Sequence, residues 1–354
     1  MSQDTQRSVT IGDEIIGDSY PAFIVAEAGV NHNGDIKLAK ELIVHAKDAG
    51  ANAIKFQAFS AELLCDLELT ETKKVEGITG GTKSSYEMYK KLELSNNQLA
   101  ELYQFSRKEG IIFFGSVFDE EHVDFLDSLD IVCFKISSGD LTHLPLIRYT
   151  AQKRRPMIIS TGMATMDEVR KAVHTIEGEG IHNIVILHCT ADYPPRDEEI
   201  NLSVLLTLKR MFRYPIGFSD HSIGLEIAYA ARALGATMIE KHFTLDHNLD
   251  GPDHKMSLDP QELKQLVFGI RRIERAWGTG VKEPTHAEQN LIFSGRRAIK
   301  AARDIQSGQT ITLPDVKIVK PASGIQPEYL MDVVGKRVTK AVKRNDPIEW
   351  ELLK

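Results

Sequence analysis

A (β/α)8 barrel followed by a small β-rich domain is the α/β fold that this sequence predicts. Eight short apolar runs recur between Phe23 and Leu245, each followed by a helical pattern, and eight is the strand count of such a barrel. The runs are continuously apolar rather than alternating, as strands covered by helices on both faces are. After Trp277 the rhythm breaks into shorter, turn-punctuated pieces that read as a second unit. An open doubly wound sheet would carry fewer strands and a Gly-rich first turn, and no G-x-G-x-x-G follows the first run.

Taken in order, VTIGDEIIG (9–17) reads as a hairpin ahead of the barrel. Strands are expected at FIVAEAG (23–29), AIKFQA (53–58), IIFFGSVF (111–118), CFKISSGD (133–140), PMIISTGM (156–163), IVILHCTA (184–191), YPIGFSDH (214–221) and MIEKHFTL (238–245). Asp35 caps a helix whose apolar stripe is Ile36, Ala39, Leu42, Ile43 and Ala46, stopped by Gly50. Asp167–Ile176, Glu226–Leu234 and Gln261–Trp277 repeat the helical pattern. The gap from 60 to 95 is long for a βα loop, and its Gly-rich GITGGTKSSYEM (77–88) reads as a mobile lid or an excursion over the barrel mouth. GTGVKEPTHAEQN (278–290) is polar and turn-rich. The expected organisation is a barrel with its hairpin over 1–280, a linker over 281–294 and a small domain over 295–354.

Composition narrows the function. The chain has 354 residues, 42% hydrophobic and 26% charged, the balance of a folded globular protein. A net charge of -7 argues against a general nucleic-acid binder, which needs clustered Lys and Arg. Three unclustered cysteines, Cys65, Cys133 and Cys189, exclude a disulfide framework and suit a reducing cytoplasm. No secretory h-region opens the chain and no run is long and apolar enough for a membrane span.

Polar residues gather at the C-terminal ends of the expected strands, where barrel enzymes keep their active sites. They are Glu27, Lys55, Gln57, Ser116, Lys135, Ser138, Asp140, Ser160, Thr161, Thr190, Ser219, Asp220, His221, Glu240 and His242. His221 and His242 lie on neighbouring strands, so their imidazoles can converge on Mn, Fe or Zn and leave positions open for water and substrate. The alternative is a pair of satisfied core or capping histidines. Lys55 and Lys135 stand inside apolar strands, where an ammonium needs an anion. Together with Ser138, Ser160 and Ser219 they describe a phosphate or carboxylate pocket. Two other readings stay open: a structural pairing with Glu27 or Glu240, and a Schiff-base lysine. LDHNLDGPDHKMSLDP (245–260) can supply a general base or be a polar loop, and Asn31, His32, Asn33 and Gly34 read as a turn that can touch substrate.

With these residues in place, the chain resembles the sialic acid synthase family, the N-acetylneuraminate and N,N'-diacetyllegionaminate synthases. The resemblance rests on AEAGVNHNGD (26–35), KFQ (55–57), FKISSGD (134–140), STGM (160–163), LHCTADYP (187–194), GFSDHS (217–222), EKHFT (240–244) and GPDH (251–254). The tail ending VGKRVTKAVKRNDPI is similar to the family's antifreeze-like (SAF) domain. The resemblance implies condensation of phosphoenolpyruvate with an open-chain N-acyl hexosamine, giving a nine-carbon 2-keto acid and phosphate. It implies that His221 and His242 hold a divalent metal, Mn2+ or Mg2+. It assigns the phosphate and carboxylate of phosphoenolpyruvate to Lys55, Lys135, Ser116, Ser138, Ser160 and Ser219. Gln57 and Asp140 would orient the metal's water, Glu27 and Asp253 would serve sugar binding and proton transfer, and Tyr193 would line the sugar site. It also implies a domain-swapped homodimer, with Lys320 of one tail at the other barrel's sugar site.

Three positions depart from the best-known sialate pattern. Asp140 replaces a Glu, Ala191 an Asn, and Lys320 an Arg that reaches the N-acyl group. SGD and CTADYP are similar at least as much to legionaminate-type synthases, so the acceptor sugar stays open. A metal- or Schiff-base-dependent aldolase or a hydrolase on the same barrel, and a carbohydrate-binding protein with an inert barrel, are the competing readings.

Overall fold

The structure, a computed structural model, describes residues 7–66 and 85–354. It falls into two compact units, Met1–Trp277 and Gly278–Lys354. In the first, β1 (Ser8–Ile11) and β2 (Glu14–Gly17) form an antiparallel hairpin. The eight apolar runs then appear as β3 (Phe23–Gly29), β4 (Ala53–Ala58), β5 (Ile112–Val117), β6 (Phe134–Ile136), β7 (Met157–Ser160), β8 (Ile184–Cys189), β9 (Ile216–Asp220) and β10 (Met238–His242). All pair in parallel and in sequence order, and β10 returns to β3 to close the barrel.

Burial explains why the strands were uniformly apolar. One face of each looks into the barrel and the other onto the helices. Val25, Phe114, Ile158, Val185, Leu187 and Met238 fill the interior, and Val9, Ile11 and Ile16 of the hairpin join the same cluster. The barrel is therefore stoppered at one end and open only at the strands' C-terminal ends. Each such side chain removed from water contributes roughly 1.5–3 kcal/mol. Gly217 in β9 fits because it has no side chain: a Cβ there would lie 2.5 Å from a Leu187 methyl and 2.7 Å from the Met238 carbonyl.

The helices start and stop where local chemistry directs. In the helix Ile36–Ala49 the Asp35 side chain accepts from the Lys37 N–H. Gly50, at φ 87°, closes it with its N–H on the Ala46 and Lys47 carbonyls. Ala39, Leu42, Ile43 and Ala46 are its buried face. Met166–Gly178, Glu226–Ala233 and Pro260–Trp277 form the other expected helices. The centre of the expected lid lies outside the described residues. Its flanks are the helices Ala61–Leu64 and Ser85–Leu92, where Leu64, Met88, Tyr89 and Leu92 pack with Val30, Phe59 and Phe118.

The second unit has its own core, built from Ile299, Ile305, Ile311, Ile325, Val338 and Ile348 around an antiparallel pair, β11 (Ala298–Ala301) and β12 (Val316–Val319). A helix, His286–Gly295, forms within the stretch expected as linker, because Thr285 and Glu288 make a reciprocal capping box. No helix among the described residues is long and apolar enough to cross a membrane.

Candidate active site

Strand register brings the polar residues to one level at the barrel mouth. Glu27 lies opposite Lys55, Gln57 opposite Ser116, Ser116 opposite Lys135, and Ser219 opposite Glu240. Glu240 is the hub. Its Oε1 takes the Lys135 ammonium at 3.2 Å, the Lys55 ammonium at 3.3 Å and the Ser219 hydroxyl at 2.9 Å. Lys55 also meets Glu27 Oε2 at 3.3 Å and donates to Ser116 Oγ at 3.0 Å. Gln57 donates to Glu27 Oε1 at 3.3 Å.

The charges are set by burial and by one another. Burial pushes the Glu240 carboxyl up, but the ammoniums of Lys135 and Lys55 and the Ser219 hydroxyl outweigh it and hold the group well below the usual carboxylate range. Glu27 ends above that range, because burial dominates and Lys55 offsets it only in part. Burial disfavours the Lys55 ammonium, yet Glu240 and Glu27 carry it above its ordinary value. Lys135 ends below its ordinary value, since burial outweighs Glu240 there. Two ammoniums and two hydroxyls in a dry pocket suit an oxyanion, and the carboxylates now occupy the ammoniums' partner positions.

Further along the chain from Ser219 and Glu240 the two imidazoles meet edge-on, with ring centroids 5.2 Å apart at 64°. His221 immediately follows β9 and His242 ends β10. His221 Nδ1 lies 2.8 Å from the Thr190 carbonyl, which can only accept, so Nδ1 carries a proton and Nε2 is the nitrogen left for a ligand. Burial disfavours the charged ring, but Cys189 and the Thr190 carbonyl together hold its pKa above the ordinary value. His242 is buried, and burial, with His221 and Lys55 nearby, drives its pKa well below the ordinary value. It is a neutral imidazole, the ligating form. Its Nδ1 is buried without a hydrogen-bond partner and lies 3.4 Å from Asp253 Oδ2. Two neighbouring imidazoles at the mouth, one with an orphaned buried nitrogen, are a donor pair whose chemistry suits a divalent cation that takes its other ligands from water and substrate. Tyr193 stacks on His221 at 4.1 Å and meets His242 edge-on at 5.7 Å, while burial pushes Asp253 up to about 6.

The remaining expected residues are placed differently. β6 ends at Ile136, so Ser138 and Asp140 sit in the turn after the strand rather than at its end. Asp140 accepts the Ser137 hydroxyl at 2.6 Å instead of joining the Glu240 cluster, and burial raises its pKa. Ser138 Oγ accepts the Gly162 N–H at 3.0 Å. Ser160 ends β7 with a buried hydroxyl that has no partner. Lys320 is an exposed residue of the second unit, directly after β12. The segment 245–260 supplies Asp253, but His247, Asp259 and Glu262 are spent on one another. Asp259 and Glu262 cap the helix Pro260–Trp277 reciprocally, with His247 3.1 Å from Glu262.

The sequence names Glu240 at the mouth and as a candidate partner for the lysines, and the structure pairs it with both. It does not name Glu240 as the group that joins them to Ser219, although a signal was present. Period-2 alternation puts Met238, Glu240 and His242 on one face of β10, so a residue sharing its face with a candidate ligand belonged with it. The Thr190 carbonyl carries no sequence signal, since any residue has one.

Comparison with known proteins adds a lineage to this geometry. A family model described as NeuB family matches residues 42–282, and one described as SAF domain matches residues 296–354. The N,N'-diacetyllegionaminic acid synthase of Legionella pneumophila is 40% identical over 339 residues, 95% of each chain. The N-acetylneuraminate-9-phosphate synthase of Homo sapiens is 38% identical over 341 residues, 96% of this chain and 94% of its own. Among solved structures, the N-acetylneuraminic acid synthetase of Leptospira borgpetersenii, in complex with citrate, superposes with a TM-score of 0.72 at 36% identity, covering 81% of this chain and 95% of its own.

Proposed function

The chain belongs to the NeuB family, and on that premise we propose that it condenses phosphoenolpyruvate with an N-acyl mannosamine-type sugar, giving a nine-carbon, sialic-acid-like 2-keto acid and phosphate. The observation that carries this reading is the two-storey site. A pair of ammoniums with hydroxyls, Lys55, Lys135, Ser116 and Ser219, lies beneath two adjacent imidazoles, His221 and His242. An enol phosphate with a carboxylate is the anion that needs the lower storey. A sugar aldehyde, whose oxygen gains charge as the bond forms, needs the upper.

In the reaction, the enol carbon attacks the aldehyde carbon and leaves an oxocarbenium at C2. Water adds there, and the tetrahedral adduct loses phosphate by C–O cleavage. Lys55 and Lys135 hold the anionic groups in line. Ser160, whose buried hydroxyl is unspent, and Ser138 are donors for the same substrate. His221 and His242 would hold a divalent cation, Mn2+ or Mg2+, which supplies Lewis-acid polarisation of the aldehyde oxygen when bound. Glu27, whose pKa burial raises, and Asp253 are the proton carriers, with Gln57 and Asp140 orienting water and Tyr193 covering the sugar. Three free cysteines suit a reducing cytoplasm.

Phosphate release is the measurement. The protein is assayed with phosphoenolpyruvate and, in turn, N-acetylmannosamine, its 6-phosphate and 2,4-diacetamido-2,4,6-trideoxymannose. We expect stoichiometric phosphate with one of them and none without sugar. Sugar conversion that consumes no phosphoenolpyruvate would replace this reading with an aldolase, and binding without turnover would replace it with a carbohydrate-binding protein.

The protein is further proposed to work as a domain-swapped homodimer, with Lys320 of one chain at the sugar site of the other. The support is the polar connection after Trp277, long enough to carry the second unit away. Lys320→Ala and His221→Ala chains, each inactive alone, should regain part of the activity after subunit exchange. Verified exchange without recovery would mean that Lys320 acts within its own chain or not at all.

A further inference from the structure

We propose that the buried ion pair Asp220–Lys241 is a strap that sets the spacing of the two imidazoles, which makes both residues positioning residues for the cation. The inference rests on the metal reading above. Asp220 and Lys241 are register partners on β9 and β10, and each directly precedes a histidine, His221 and His242. Both side chains are 1% exposed, with Lys241 Nζ 2.8 Å from Asp220 Oδ2. Alternation along β10 puts Lys241 on the face opposite Glu240 and His242, so the pair stands behind the well and outside its chemistry.

The contacts form a closed loop. Lys241 Nζ also donates to the Ser222 carbonyl at 2.6 Å. Asp220 Oδ1 accepts the Ser222 N–H at 2.8 Å and the Ser222 hydroxyl at 2.6 Å. Residues 220 and 222 are thereby tied to each other and to Lys241, and His221 is the residue between them. The backbone that presents His221 is fixed to the strand end that presents His242, while the Thr190 carbonyl fixes the ring. Two ions removed from water cost more than an apolar pair of similar volume would, so stability is a poor account of this pair. Position is what it supplies.

The test is a Mn2+ titration of the full chain, followed by loss of the free-ion EPR signal, in wild type and in Asp220→Asn/Lys241→Met. Removing both charges leaves no unpaired ion behind. We expect Mn2+ affinity about 10–100-fold weaker, the range for groups that orient metal ligands. Phosphoenolpyruvate binding to the metal-free protein should not change, and the melting temperature should not fall. If this variant lacks native circular dichroism, Asp220→Asn/Lys241→Gln, which keeps a neutral hydrogen bond, carries the test under the same criterion. Wild-type Mn2+ affinity in the folded variant overturns the strap and leaves the metal reading intact. An equal fall in phosphoenolpyruvate affinity also overturns it, as general damage to the barrel. Absence of Mn2+ binding by wild type removes the metal reading, and the strap with it.

Discussion

Alanine at His221 or His242 should abolish sugar turnover while leaving a folded barrel. The imidazoles are side chains at the mouth, not members of the apolar clusters, so truncation opens space without unseating core residues. Loss of a Lewis acid removes several kcal/mol of charge stabilisation, and at 1.36 kcal/mol per decade turnover falls by about three orders of magnitude or more. Chelator treatment of wild type should give the same loss, reversed by Mn2+ or Mg2+. Full activity in excess chelator would refute the assignment of both histidines.

The second large effect is expected at Lys55 and Lys135. Lys→Met at either keeps the aliphatic volume and deletes the charge, so phosphoenolpyruvate affinity should fall by about 2–5 kcal/mol for a desolvated charge contact. Sugar affinity should change far less. Lys135→Met also strips Glu240 of one of its two ammoniums, so some stability is lost with it. Adding Glu240→Gln should restore that stability without restoring phosphoenolpyruvate binding, which separates the lysine's two partners. Unchanged apparent affinity for phosphoenolpyruvate in a folded Lys→Met variant would mean that the lysine serves only its carboxylate.

The barrel was legible because a strand covered on both faces has no polar register to keep, so each run stays apolar from end to end. The limits of the strands were less legible. CFKISSGD reads as one strand, yet the chain turns after Ile136, with the Asp140 N–H on the Ser137 carbonyl at 3.2 Å. That turn is why Asp140 leaves the cluster expected for it. Candidate ligands could be named from their strand-end positions, but which carboxylate meets which ammonium depends on contacts across the barrel. Glu240, Lys55 and Lys135 come from three separate strands, and only closure reveals the hub. Asp220 and Lys241 illustrate the opposite case. Both stand in the strings GFSDHS and EKHFT beside the histidines, and although strand alternation turns Lys241 away from the site, nothing in the sequence says that it meets Asp220 there.

The pairing of β10 with β3 has a consequence for how the site comes into being. Met238 meets Phe23 and His242 meets Glu27 across this seam, from opposite ends of the barrel's sequence. Contacts so far apart along the chain form only after the large entropy of loop closure has been overcome. Glu27 stands on one side of the seam, and Glu240 and His242 on the other. The well therefore has no local precursor: no run of strands shorter than the whole barrel contains it, and a half-barrel would hold ammoniums without their hub or imidazoles without their floor. Assembly of the site and closure of the ring are one event.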